Sequence, residues 1–306
     1  MLKTLAEYNK YRIAHIVHPT LQEFPMRHEE NQYLNLIDDI LSEGTKEEGR
    51  NGATFAVVGA AMHFSLNDRR VPFLTTKRLA WKTCLKELLW FVRGQTDNRL
   101  LQAQGVHIWD GNSNGRPDGD LGPIYGFQWR NFGGEYPANN NDNCKKGVDQ
   151  LQLIIDALND PEQRTSRRLI ITAWNPCQLP EMALPPCHVL MQFHVTDGTR
   201  LSCSLYQRSG DVGLGVPFNI ASYSMLTHLL AHHCGLDAHE FVYHLGNAHI
   251  YDDHVDALKE QCRREPHEFP RIAIRALHEN INDYEVGDFE VQGYQCHDAI
   301  PMTMRQ

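Results

Sequence analysis

The amino-acid sequence predicts one α+β domain. Apolar residues recur at helical spacing in several separated stretches, while other stretches are rich in β-branched and aromatic residues. Turn-forming clusters punctuate them, yet no repeat, low-complexity tract or clean linker divides the chain. The 306 residues are 42% hydrophobic and 22% charged, which supplies apolar material for a large core.

The elements follow in order. Residues 1–29 read as a polar lead-in, and residues 30–306 as the domain. Leu34, Ile37, Ile40 and Leu41 form a helical stripe from about Glu30 to Ser42. After the turn-rich run GRNGATF, residues Phe55 to Leu66 read as a strand interrupted at Gly59. Trp81, Leu85, Leu88, Leu89 and Val92 form a second helical stripe, with Gly94 as its stop. Residues 111–147, rich in Gly, Asn, Asp and Pro, read as long loops around YGFQW. A helix is predicted over Gly147 to Asn159. RRLIITAWN, VLMQFHV and RLSCSLYQRS read as strands, and Ala221 to Cys234 as a buried helix. EFVYHLGNAHIY reads as a strand, DDHVDALKEQC as a helix, and IAIRAL with DFEVQGY as strand-like.

Composition excludes several functions. A net charge of −9 argues against nucleic-acid binding through bulk charge, and an anionic substrate needs a local arginine cluster. Eight scattered cysteines without a CxxC predict reduced thiols and a cytoplasmic protein. No secretory h-region or run of about eighteen apolar residues is present, which predicts no membrane partner.

Chemistry concentrates in two places. Cys187 follows Pro185 and Pro186, which fix the backbone before it. A thiolate is a strong nucleophile, and nearby cations favour it. His188 follows, but adjacent residues of a strand point to opposite faces, which weakens a Cys-His protease reading. About twenty residues later, LYQRSGDVGLGVPFN offers Arg208 and Ser209 for a phosphate, then Asp211 and Asn219 for a flat polar ring. Asn219 is alternatively a helix cap. Arg50, Arg167 and Arg168 are further phosphate candidates, or solvated surface charges. Glu87 lies either at a helix edge in water or in a cleft with a raised pKa. His249 and Tyr251 share a strand face and suit a sugar hydroxyl. His244, His249 and His254 recur every five residues, which fits no single face and predicts no metal site. The glycines of DVGLGVPFN miss the dinucleotide fingerprint.

The runs TTKR (75–78), ELLWFVRG (87–94), IWD (108–110), GDLGPIYGFQWR (119–130), SRR (166–168), MALPPCH (182–188), LSCSLYQRSGDVGLGVPFNIASY (201–223) and HIY (249–251) resemble the thymidylate synthase family, in that family's order. The resemblance implies a curved mixed β-sheet with flanking helices. It implies a homodimer with shared active sites, dUMP as substrate and 5,10-methylenetetrahydrofolate as cosubstrate, with no metal. It places Cys187, Glu87, Tyr125, His188 and Asp211 in catalysis. Nucleotide binding falls to Arg50, Gln207, Arg208, Ser209, Asn219, His249 and Tyr251, with Arg167 and Arg168 arriving from the partner. Ile108, Trp109, Asn112, Asp211, Leu214, Gly215 and Phe218 would face the folate.

Four departures bear on the outcome. The family's tail is close to IKMxMAV and serves as a lid, whereas here it is IPMTMRQ. Asn51 stands where the family has threonine, in a loop one residue shorter. Asn247 replaces an aspartate, and Cys296 and Asp298 replace prolines. A badly fitting lid admits water. Deoxyuridylate hydroxymethylation is therefore the second expectation, behind thymidylate formation. A silent nucleotide- or RNA-binding homologue is a third, disfavoured because Cys187, Arg208 and Asn219 all stand.

Overall fold

Leu34, Ile37 and Ile40 give Asn31–Glu43 one apolar face, and this helix, α1, buries it together with Tyr33 and Leu36. The computed structural model describes residues 28–49, 51–136 and 146–305. The first 27 residues, and with them most of the expected lead-in, lie outside the described residues. So does Arg50.

Just before α1, Glu30 is wholly buried. Its carboxylate accepts from the backbone N–H and hydroxyl of both Thr75 and Thr76. A buried charge is tolerable when its lone pairs are satisfied this fully. These bonds tie the start of α1 to the TTKR segment.

Thr45–Gly49 (β1) and Gly52–Ser65 (β2) form an antiparallel pair. β1 was not foreseen, because TKEEG lacks β-branched or aromatic alternation and every residue in it is exposed. β2 runs unbroken through Gly59, which takes φ 82° while the pairings Val58–Asn247 and Ala60–Leu245 flank it. The second stripe forms α2 (Trp81–Val92), stopped at Gly94 with φ 70°. Two short turns of helix follow, α3 (Arg99–Gln102) and α4 (Asp110–Ser113). YGFQW opens a helix, α5 (Tyr125–Asn131), inside the loop-rich region. Then come α6 (Gln150–Asn159), capped by the Asp149 side chain, and β3, only Ile170–Thr172.

β4 (His188–Thr196), β5 (Arg200–Asp211) and β6 (Asp237–Tyr251) complete a six-stranded sheet in the order β1-β2-β6-β5-β4-β3. β5 and β6 are parallel and the other neighbours antiparallel, so the sheet is mixed. The parallel pair requires a crossover, supplied by α7 (Gly215–His233). α7 is buried nearly all round and packs against β5, β6 and α2. It starts six residues earlier than the pattern predicts, so Asn219 lies inside the helix and is not its cap. α8 (Val255–Gln261) and a small ribbon, β7 (Arg271–Ile274) with β8 (Phe289–Gln292), finish the chain's regular elements. Apart from Ala53, Ala56 and Phe127, the buried apolar residues join one core from Tyr33 to Phe289. Ile170, Leu190 and Tyr206 share the opposite face of the sheet and are exposed at 36–43%.

Candidate active site

Cys187 is the last residue before β4. Its N–H donates to the Tyr125 hydroxyl at 2.8 Å, and its carbonyl accepts from the Arg208 N–H at 2.9 Å. A bulge falls between His188 and Leu190. Cys187 precedes the regular pleat, so it and His188 line the same cavity, contrary to the opposite-face expectation.

Arg208 reaches back from β5. Its Nε and Nη2 donate to the carbonyls of Pro186 and Pro185, each at 2.9 Å, and Nη2 lies 3.7 Å from Cys187 Sγ. The guanidinium also sits over the Trp174 ring, 5.8 Å from its centre. The two prolines therefore hold the arginine as well as the cysteine. Burial raises the Cys187 pKa, while the Arg208 charge and the Tyr125 hydroxyl act in the opposite sense.

On the same wall, the Tyr243 hydroxyl donates to Gln207 Oε1 at 2.5 Å and approaches Asn219 Oδ1 at 3.4 Å. Gln207 Nε2 donates to the Ser209 carbonyl at 2.8 Å. Both amides are thus held in place by buried groups. His188 packs against Tyr125 and Tyr223, and its buried Nδ1 has no hydrogen-bond partner among the described residues. Burial pushes its pKa down to about 4, against a side-chain hydrogen bond to Asn219, so the ring is neutral at pH 7.

Across the cavity, Glu87 of α2 accepts from Trp109 Nε1 at 2.7 Å. It lies in the cleft and not at a solvated helix edge. Burial raises its pKa to about 7, and the Trp109 bond partly opposes this. The carboxyl is therefore poised to gain or lose a proton near neutrality.

Between the two walls, β5 turns into α7. Asp211 Oδ1 accepts from the N–H groups of Gly213 and Leu214. A Cβ on Gly213 would meet His254 Nδ1 at 2.6 Å, so a larger residue there would have to displace the His254 ring. The Tyr33 hydroxyl donates to the Val212 carbonyl at 2.8 Å, and Lys77 Nζ donates to the Gly213 carbonyl. Burial lowers the Lys77 pKa to about 8, with Asp211 acting to raise it.

The cavity measures about 480 Å³. Of the sequence-predicted residues it brings together Glu87, Ile108, Trp109, Asn112, Tyr125, Cys187, His188, Gln207, Ser209, Asp211, Leu214, Gly215, Phe218 and Asn219. His249 and Tyr251 do not line it. They stand at the end of β6, where His249 pairs in register with Asp211, and their rings meet at 87° with centres 5.3 Å apart. His249 Nδ1 lies 2.9 Å from Asn247 Oδ1. Arg167 and Arg168 are exposed ahead of β3, and no acidic side chain among the described residues pairs with either. Phe91, Leu184, Met302, Met304 and Arg305 complete the wall, although the sequence pattern does not mark them as site residues. Apolar residues in a stripe read alike whether they fill a core or face a cavity. A larger hollow, about 650 Å³, lies at the far end of the sheet, but no thiol or hydroxyl side chain lines it.

Residues 31–306 match the family model described as thymidylate synthase. The chain belongs to the thymidylate synthase family. It is 49% identical to human thymidylate synthase over 289 residues, covering 90% of this chain and 91% of the relative. It is 51% identical to the thymidylate synthase of equine herpesvirus 2 over 289 residues, 90% of this chain and 98% of the relative. It is also 51% identical to the bifunctional dihydrofolate reductase-thymidylate synthase of Leishmania major over 292 residues, 92% of this chain. There the chain spans 56% of the relative's length. Within this thymidylate synthase family site, Met302, Met304 and Arg305 of the tail line the cavity.

Proposed function

We propose that this chain is a methyltransferase that forms dTMP from dUMP, with 5,10-methylenetetrahydrofolate as cosubstrate. One observation carries the reading: Cys187 shares a single cavity with Asn219 on its own wall and with Glu87 and Trp109 opposite. A nucleophile, a ring-edge amide and a carboxyl titrating near neutrality are what addition to a pyrimidine requires.

C5 of uracil is a poor nucleophile. Bond formation between Cys187 Sγ and C6 makes C5 an electron-rich enolate carbon. Arg208, with Nη2 3.7 Å from the sulfur, favours the thiolate that must attack. It also offers charge to the phosphate, with Ser209 beside it. Asn219 reads the N–H and C=O edge of uracil. His249 and Tyr251 hold the sugar hydroxyl. The folate supplies the one-carbon unit and the hydride. Ile108, Trp109, Asn112, Leu214, Gly215 and Phe218 form its wall, with Asp211 fixing the turn beneath. Glu87, acting through water, gives and takes protons at O4 of the base and at the folate nitrogen, near the pH where it changes charge. Tyr125 and the neutral His188 organise water for removal of the C5 proton. When the methylene on C5 is reduced to methyl, the electron pair returns to C5–C6 and expels the Cys187 thiolate.

The same reading extends to a cytoplasmic homodimer. Arg167 and Arg168 do not line the cavity of their own chain and are exposed without acidic partners among the described residues. Ile170, Leu190 and Tyr206 offer a neighbouring apolar sheet face to a second copy. We place the whole activity in residues 30–306. Capture of the methylene by water, giving 5-hydroxymethyl-dUMP, is the less favoured outcome, because Met302 and Met304 line the cavity.

The test is direct. The pure protein is incubated with dUMP and methylenetetrahydrofolate, and the nucleotide is weighed by mass spectrometry while folate oxidation is followed. Methylated nucleotide with matching dihydrofolate is expected. A hydroxymethyl product without folate oxidation refutes the reading.

A further inference from the structure

Arg305 sits at the mouth of the Cys187 cavity and lines it. Its Nη2 lies 2.8 Å from Asp253 Oδ2, and its guanidinium carbon is 5.9 Å from the centre of the Tyr251 ring. Two residues earlier, the Thr303 carbonyl is 2.8 Å from His254 Nε2. A carbonyl only accepts, so that nitrogen carries the proton. Met302 Sδ lies 3.3 Å from where a Cβ would stand on Gly213. The tail thus meets one short platform, residues 251–254, through an ion pair, an aromatic face and a hydrogen bond. Arg305 and Asp253 are each about one-third exposed, at 34% and 35% of the side chain. A planar guanidinium makes the ion pair and the ring contact together, which an ammonium does less well.

We propose that Arg305 is a positioning residue that fastens the tail across the cavity through Asp253 and Tyr251, and that this clasp decides whether hydride or water completes the reaction. The inference rests on the methyl-forming reading above. Water that enters adds its oxygen to the methylene carbon on C5. The electron pair returns through C5–C6, the Cys187 thiolate leaves, and the spare proton passes to solvent. No oxidant or reductant is needed, so only exclusion of water prevents it.

The experiment compares Arg305→Ala, Arg305→Lys, Asp253→Asn and the exchanged pair Arg305→Asp with Asp253→Arg. Two quantities are read: the ratio of hydroxymethyl to methyl nucleotide under turnover, and amide hydrogen-exchange protection over residues 300–305. A partly exposed pair of this kind predicts a change in tail opening of up to about fivefold. Arg305→Ala and Asp253→Asn are expected to lower protection and raise the hydroxymethyl share by about that factor. Arg305→Lys should fall between, and the exchanged pair should recover. Unchanged protection in Arg305→Ala overturns the clasp. Lost protection with an unchanged product ratio overturns its role in the outcome. If the parent protein makes neither nucleotide, the reading of the reaction fails by itself, and hydrogen exchange still judges the clasp.

Discussion

Replacing Glu87 by glutamine should stabilise the fold while removing a proton carrier, and the stabilisation should depend on pH in a calculable way. Burial lifts the Glu87 carboxyl from its ordinary 4.5 to about 7. Below the unfolded value both states are protonated and the group costs nothing. As pH rises, the unfolded chain ionises first, so the carboxyl increasingly favours unfolding, and the cost levels off at its maximum once the folded group also ionises. The cost is roughly 1 kcal/mol at about pH 5 and roughly 3 kcal/mol at about pH 8.5, because each pKa unit is worth about 1.4 kcal/mol. Glutamine is neutral throughout and can still accept from Trp109. The stability gain of Glu87→Gln should therefore grow by roughly 2 kcal/mol between those pH values, with other titrating groups cancelling in the difference. Urea unfolding of both proteins at the two pH values measures it. A difference that is flat with pH, or that shrinks as pH rises, refutes the buried-carboxyl argument.

Cys187→Ala should abolish turnover while nucleotide binding, followed by calorimetry with dUMP, survives; measurable turnover in that variant contradicts the covalent route. Asn219→Asp should move preference toward dCMP, because an ionised carboxylate cannot donate to the uracil carbonyl but can accept from the cytosine amine; kcat/KM for both nucleotides decides, and an unaltered ratio removes the amide from base recognition. Mixing inactive Cys187→Ala subunits with inactive Arg167→Glu, Arg168→Glu subunits should restore about a quarter of the parent activity, since half the dimers are mixed and each holds one complete site. No recovery after demonstrated subunit exchange counts against donation in trans.

The chemistry was legible where residue type and backbone constraint coincide. Two prolines before Cys187 and a run holding Gln207, Arg208, Ser209, Asp211 and Asn219 are unusual enough to mark a site. The placement of Glu87 was not legible, because a carboxylate in a helical stripe has the same sequence signature in water and in a cleft. Only the Trp109 indole, 22 residues away, separates the two. Helices with one apolar face, such as α1 and α2, were found at nearly their true bounds. α7 was found late because its first turn, GVPFN, carries glycine and proline that read as loop, although proline is well accepted in a first helical turn. β1 was missed since its pairing is with β2 backbone and not through buried side chains. The roles of Met302 and Met304 emerge only when a distant segment returns over the cavity.

The middle of the large sheet is built from its last-synthesised strand. β6 lies between β2 and β5, and without it β1-β2 and β5-β4-β3 have no hydrogen bonds to one another. During translation the ribosome therefore releases the first half-sheet well before its neighbour exists. Two exposed strand edges, those of β2 and β5, wait for one late segment, and long-range pairings of this kind are slow to form and prone to pairing with other chains meanwhile. A truncated product ending before residue 237 would carry the reactive thiol on a chain with nothing to join its two halves.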